Sequence, residues 1–228
     1  KWGRGITPIW IASHTAVLKA EGHQVVFFDA TFYSDWAINE IQYNTNNLQY
    51  KPSDYDKLIS FKQEKILESL QKTVDAVNPD IIFWSALSSH IHGEGEYVNI
   101  QYGHTLVKDI KTKAKKVAAG LQPTADAVKM FDYFPQTDYF IRGESEFVLP
   151  ALAKALEEES DLSQIPGLAY RDIRNEIVIN ERQDIISDMD TIPLYDYSAF
   201  EDQVFLRPYN GQVVRAVDYE MSRGCIYS

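Results

Sequence analysis

The sequence predicts an α/β fold, a doubly wound parallel sheet followed by a small C-terminal connector that contains a β-hairpin. Three observations predict it. Short apolar runs bounded by turn formers recur at 24–29, 79–84, 115–120 and 138–142, as expected of strands covered on both faces. Stretches with helical spacing of apolar residues separate these runs. After Ser160 the alternation stops, and two short strands bracket the turn residues Asp172 to Asn175, the pattern of a hairpin.

In order, Pro8 suits the first turn of a helix, Ile11, Ala12, Val17 and Leu18 form its apolar face, and Gly22 closes it. Gln24 to Asp29 follows as a strand. A helix entering a parallel sheet normally comes after a strand, so a further strand is expected upstream of Lys1. Thr31 to Pro52 is polar, rich in Asn and Tyr, and without period; a stretch of this kind reads as an excursion or lid. Ser53 or Asp54 is placed to cap a long helix through Val77. Its predicted stripe is Leu58, Phe61, Ile66, Leu70, Val74 and Val77.

Asn78-Pro79-Asp80 ends that helix, and Ile81 to Trp84 reads as the buried central strand. The run breaks into Ser85, Ser88, Ser89, His90 and His92, followed by Gly93 and Gly95. Small hydroxyls and imidazoles at the carboxyl end of such a strand mark where an open α/β sheet holds a ligand. Tyr97 to Lys113 reads as a helix, 115–120 as a strand, Thr124 to Phe131 as a helix, 138–142 as a strand and Glu144 to Glu158 as a helix. The hairpin strands are 167–171 and 176–180, and strand character resumes from Val213. The predicted organisation is a ligand-binding domain over 1–160, a connector over 161–212, and the opening of a further domain over 213–228.

A chain of 228 residues with 45% hydrophobic and 13% aromatic content can bury a sizeable core. Its formal charge of −11 argues against nucleic acid and anionic lipid as partners, since it offers no excess of cations to either. No apolar run approaches the ~20 residues of a membrane helix, and the amino terminus has no secretory pattern. A single cysteine, Cys225, precludes an internal disulfide framework and fits a reducing cytoplasm.

Several stretches taken together resemble the cobalamin-binding domain of B12-dependent radical S-adenosylmethionine enzymes. Gly22-His23-Gln24-Val25 with Asp29 is similar to that family's second strand, and Pro79 to Ile82 with Ser85-Ala86-Leu87 to its third. Ala119-Gly120-Leu121-Gln122-Pro123-Thr124 resembles its Gly-Gly-x-His-Pro-Thr loop, and Arg142-Gly143-Glu144-Ser145-Glu146 its Gly-Glu-x-Glu loop. Ile165 to Tyr170 and Asp190 to Pro193 resemble its connector. Ser222-Arg223-Gly224-Cys225 resembles the opening of its Cys-x-x-x-Cys-x-x-Cys motif. The resemblance implies a flavodoxin- or Rossmann-like sheet that binds cobalamin through Ser85, Leu87, Ser88, Ala119, Gly120, Leu121, Gln122, Gly143 and Glu144. It implies no catalytic residue among these. Cys225 would be the first ligand of a 4Fe–4S cluster, which with S-adenosylmethionine is expected only in a complete chain that extends further at both ends.

The sequence departs from the family pattern at Ala119, where glycine is usual, and at Gln122, where histidine is usual. An Asp-x-His-x-x-Gly element, whose histidine can ligate cobalt, is absent from the sequence. The implied activity is transfer of a methyl group to an unactivated carbon of a small-molecule substrate, with this chain binding rather than reacting.

Each residue also has a plainer reading. Ser85 can be a satisfied polar group at a strand end, Gly120 can serve turn geometry, and Glu144 and Glu146 suit a helix start. His90 and His92 read as loop residues, and His14, His23 and His104 as structural ones. A degenerate domain that recognises substrate or a partner is the alternative function. A dinucleotide-binding oxidoreductase is a further one, on the strength of Gly3-x-Gly5 with Asp29.

Overall fold

The computed structural model describes residues 7–36, 51–85, 96–220 and 223, with the backbone alone for Ser85 and 96–99. They fall into two units. One gathers the described parts of 1–12, 26–70 and 195–228, the other 13–25 and 71–194. The boundaries therefore fall inside α1 (Ile9–Ala20) and inside α3 (Ile66–Val77).

The larger unit is built on a five-stranded mixed sheet in the order β1-β2-β3-β4-β5, which bears out the α/β fold class. β1 (Ile81–Ser85), β2 (Lys115–Leu121) and β3 (Tyr139–Arg142) run parallel, joined through α4 (Glu96–Val107) and α5 (Ala127–Tyr133). α6 (Val148–Glu157) then returns the chain, so that β4 (Leu168–Arg171) pairs antiparallel with β3, and β5 (Ile177–Ile179) with β4. The hairpin expected in the connector thus completes the sheet, because Leu168 and Ala169 are fully buried and Ile141 faces Leu168 in register.

The core of this unit follows from periodicity. α6 buries Val148, Leu149, Leu152 and Ala155 on one stripe, packed with Val117, Ala119, Ile141 and Leu168. α4 buries Ile100 and Val107. Its Gly103 lies where a Cβ would stand 2.2 Å from Cδ1 of Trp84, so only glycine admits the indole. α5 starts later than predicted because the Asp126 side chain accepts the Lys129 N–H and caps it there. α1 closes in a Schellman arrangement, with Gly22 at φ +88 and His23 N–H donating to the Leu18 carbonyl at 3.0 Å. Asn78, at φ 47, closes α3 as predicted.

Three expectations are corrected. β1 is not central: among the described residues it is the outermost strand and pairs only with β2, and Ile81 to Phe83 are half-buried. The strand expected over 24–29 does not form; among the described residues this segment has no ladder partner. Its aromatic side chains pack elsewhere, Phe27 at 4.6 Å from the Phe200 ring and Phe28 stacked at 5.5 Å on Tyr33.

The long helix over 53–77 is the third. It is two helices, α2 (Tyr55–Leu58) and α3, separated by an extended stretch that bridges Lys62 to Tyr33. Lys62 N–H donates to the Phe32 carbonyl at 2.7 Å, a bond that a continuous helix would forbid. The cap of α3 comes from outside its own sequence, with Ile66 N–H donating to both Asp35 carboxylate oxygens at 3.3 Å. Ile66, Leu70 and Val74 are buried as predicted, whereas Leu58 and Val77 are exposed.

The smaller unit packs Ala12, Phe32, Tyr55, Ile59, Phe200 and Val204 into one apolar cluster. β6 (Leu206–Tyr209) and β7 (Gln212–Arg215) form its antiparallel hairpin. Asn210 and Gly211 turn it at φ 48 and φ 76, the left-handed pair of a type I′ turn. Of the predicted excursion, 37–50 lies outside the described residues.

The Gly103 contact makes a prediction. Gly103→Ala gains about 1 kcal/mol of helix propensity, but forcing a methyl into the Trp84 ring costs about 1–3 kcal/mol. With the ring this close, overpacking wins and the thermal midpoint falls; Trp84→Leu in the same chain recovers part of the loss. A midpoint unchanged or raised in Gly103→Ala rules this packing out.

Candidate functional site

The candidate site is the carboxyl edge of the parallel strands, built by the ends of β2 and β3. β2 carries an extra residue there: Ala118 faces Phe140, but Leu121, three residues on, faces Arg142, only two on. The bulge contains Gly120 at φ +86, a conformation that side-chain-bearing residues rarely adopt. Gly143 follows β3 at φ +87, and its N–H donates to the Leu121 carbonyl at 2.8 Å. The two loops singled out by sequence are thus tied to each other by backbone.

Arg142 secures the same edge through its side chain. Its guanidinium donates to the Pro123 carbonyl at 3.1 Å and to the Asn180 carbonyl at 2.6 Å. Asn180 in turn donates its side-chain amide to the Leu162 and Ile165 carbonyls at 2.7 and 2.8 Å. Burial pushes the guanidinium pKa below its ordinary value. Gly167 lets the chain pass at this point; a Cβ would lie 2.7 Å from the Arg142 carbonyl oxygen, and its φ is +78. Two buried polar atoms near this crossing, Arg142 Nε and Gln183 Oε1, have no hydrogen-bond partner among the described residues.

The loop after β3 is also held by α1. His14 Nε2 and Ser145 Oγ are hydrogen-bonded at 2.7 Å, and Ser13 Oγ donates to Glu146 Oε1 at 3.3 Å. All four residues are buried. The His14 ring lies 5.0 Å from the Phe83 ring on β1.

The residues predicted to line the site divide as follows. Gly120 and Gly143 come together at the strand ends. Ala119 and Leu121 are buried, Ala119 within the core cluster, so these two offer backbone rather than side chain. Gln122 is half-buried and its carbonyl accepts the Ala125 N–H at 2.9 Å. The Glu144 carboxylate accepts the Ile186 N–H and so braces the 181–193 segment. Ser85 ends β1 in register with Ala119. Leu87, Ser88, His90, His92, Gly3, Gly5 and Cys225 lie outside the described residues. Asp29, needed by the dinucleotide reading, ends no strand; burial raises its pKa, and its carboxylate accepts the Thr31 N–H at 2.8 Å.

His104 pairs with Gln136 at 2.8 Å, as befits a structural histidine. The sequence reading assigned no role at the site to Ser13, His14, Arg142 or Asn180. The available signal was the run Ser13-His14-Thr15 in the middle of an otherwise apolar helix, a polar run that burial allows only with partners. Among the described residues no cluster of His, Cys, Asp and Glu could hold a metal ion, and no helix is long and apolar enough to cross a membrane.

No protein-family model matches the chain. It is 27% identical over 168 residues to the anaerobic magnesium-protoporphyrin IX monomethyl ester cyclase of Cereibacter sphaeroides, covering 72% of this chain and 25% of that one. The Synechocystis enzyme of the same name is 33% identical over 113 residues, covering 48% and 21%. Among solved structures, the radical S-adenosylmethionine methyltransferase TsrM of Kitasatospora setae, with cobalamin and a 4Fe–4S cluster bound, superposes with a TM-score of 0.55 at 18% identity. That match covers 89% of this chain and 31% of TsrM. The chain is thus similar in sequence to part of these cyclases and in fold to part of TsrM. It spans about a quarter of the length of the curated relatives it matches, and its mixed sheet has the fold of the matched part of TsrM.

Arg142→Met keeps the stem but removes both guanidinium bonds, leaving the Pro123 and Asn180 carbonyls without these donors. We expect unfolding free energy to drop by about 1–3 kcal/mol in urea titrations. An unchanged midpoint and slope would show that the crossing does not depend on the guanidinium.

Proposed function

We propose that this chain is the cobalamin-binding module of a B12-dependent radical S-adenosylmethionine enzyme. The observation that carries the reading is the pair of left-handed glycines, Gly120 and Gly143, tied across the carboxyl ends of two adjacent parallel strands. The likeness to TsrM supports it.

The residues present fit the nucleotide tail of such a cofactor. A tail lying on a sheet edge requires close approach of backbone, which glycine allows, together with neutral donors and acceptors rather than a strong charge. In this reading Gly120 and the backbone at Ala119, Leu121 and Gln122 bound one side of the tail, and Gly143 and Glu144 the other. The same reading assigns Ser85, Leu87 and Ser88 to the tail. Arg142 holds the loop after β2 through the Pro123 carbonyl.

Cobalamin, when bound, supplies a cobalt centre that can carry a methyl group. In the complete enzyme we assign the chemistry to regions beyond these residues: S-adenosylmethionine, a 4Fe–4S cluster with Cys225 as one ligand, and a small-molecule substrate methylated at an unactivated carbon. These 228 residues then bind but do not catalyse.

The test is titration of hydroxocobalamin into the protein. A shifted corrin spectrum and cofactor retained through desalting are expected, and Ser85→Tyr should abolish both while leaving the far-ultraviolet dichroism unchanged. A folded protein that retains a protein partner but no corrin would instead favour a recognition domain.

A further inference from the structure

We propose that His14, together with Ser13, is a positioning residue for the cofactor-tail site, holding the loop 143–146 in the geometry that recognises the nucleotide. This rests on the cobalamin reading above. Consecutive α1 residues bind consecutive loop residues: Ser13 Oγ to Glu146 Oε1 at 3.3 Å, and His14 Nε2 to Ser145 Oγ at 2.7 Å. His14 is 5% exposed, Ser145 5%, Glu146 3% and Ser13 0%, so water does not compete for these bonds. The His14 ring also rests against Phe83 of β1, at 5.0 Å between centroids.

α1 therefore stitches a strand of the sheet to the loop that follows another strand. The loop itself has one glycine hinge, Gly143 at φ +87, and α6 behind it begins without a side-chain cap at Phe147. Between these points the loop is anchored by side chains, Glu144 to the Ile186 N–H and Ser145 and Glu146 to α1. A hydrogen bond of this kind does not touch the ligand, but a loop displaced by even an ångström loses precise contacts. The parts of a corrin cofactor that do not meet this loop are indifferent to it. The tether should therefore act on recognition of the nucleotide tail and not on the corrin ring.

Cobinamide, the corrin without its nucleotide, separates the two. Hydroxocobalamin and diaquacobinamide are titrated into the unsubstituted protein and into His14→Phe, His14→Gln and Ser145→Ala, with thermal midpoints recorded in parallel. The unsubstituted protein should bind cobalamin more tightly than cobinamide. His14→Phe keeps a ring against Phe83 but has no nitrogen for Ser145. It should bind cobalamin about tenfold more weakly, the worth of one buried hydrogen bond, with cobinamide affinity unchanged. Ser145→Ala should reproduce this from the loop side, and His14→Gln should restore part of the affinity.

If His14→Phe fails to fold, Ser145→Ala decides. Equal losses for both corrins would make the tether a general support of the fold and overturn the proposal, as would unaltered cobalamin binding in His14→Phe and Ser145→Ala. Equal affinity of the unsubstituted protein for both corrins would overturn tail recognition itself. Failure to bind either corrin would instead sink the cobalamin reading on which the proposal stands.

Discussion

The larger unit depends on one half-buried guanidinium. Arg142 stands where the parallel part of the sheet gives way to the antiparallel part, and its two nitrogens hold the loop after β2 and the end of β5. Lysine would offer a single point of charge where the planar fork spans both acceptors. The glycines around it follow from the same crowding. Gly167 passes against the Arg142 carbonyl where no Cβ fits, and Gly143 turns away from β3 so that its amide can meet Leu121. The candidate site is therefore made chiefly of backbone whose position is set by side chains that do not enter it.

The smaller unit has a corresponding anchor in Arg207, which is 6% exposed although it lies on a short hairpin. It donates to the Val204 and Leu206 carbonyls, to Thr7 and, at 2.9 Å, to Asp218. Asp218 itself is half-exposed, so the charge is buried on one side only and the carbonyls supply the remaining acceptors. Thr7 N–H also donates to Asp218 at 2.6 Å, and Tyr197 donates its hydroxyl to the Asp218 carbonyl. Burial pushes the Tyr197 phenol up to about 12. Further along, Glu220 accepts from Tyr195 and from Arg223 Nε, so the approach to the Arg-Gly-Cys motif is held by two acidic residues in turn. Side chains with partners on several segments bind this unit together where its secondary structure is short.

The sequence by itself determined the α/β class, the strands it placed at 81–84, 115–120 and 138–142 to within a residue, the helix-closing role of Asn78 and the hairpin after Gly167. It also located the two loops of the candidate site, because glycines at fixed places after apolar runs are a local signal with a local cause. What it could not reach were features whose cause lies far along the chain. The helix expected through Leu58 to Val77 breaks because Lys62 finds the Phe32 carbonyl, and α3 begins where Asp35 caps it, 31 residues away. The segment 24–29 has the composition of a strand, yet its aromatics pack into another cluster, and without a ladder partner the pattern alone makes no strand. Nor could the sequence reach the bond from the Ile186 N–H to the Glu144 carboxylate, which ties residues 42 apart.

His14 shows the division most clearly. Its sequence neighbourhood identifies a helix, which forms as α1, and reads the histidine as structural. That its partner is Ser145, 131 residues on, is decided only when α1 and the loop after β3 are brought together by burial. Periodicity records which face of an element is dry; it carries no record of which polar group waits on the other side. Local backbone preference and apolar pattern are properties of neighbouring residues, and they determined the class of this fold and the position of its glycine turns. Buried polar pairing is a property of distant ones, and only the tertiary structure decided it.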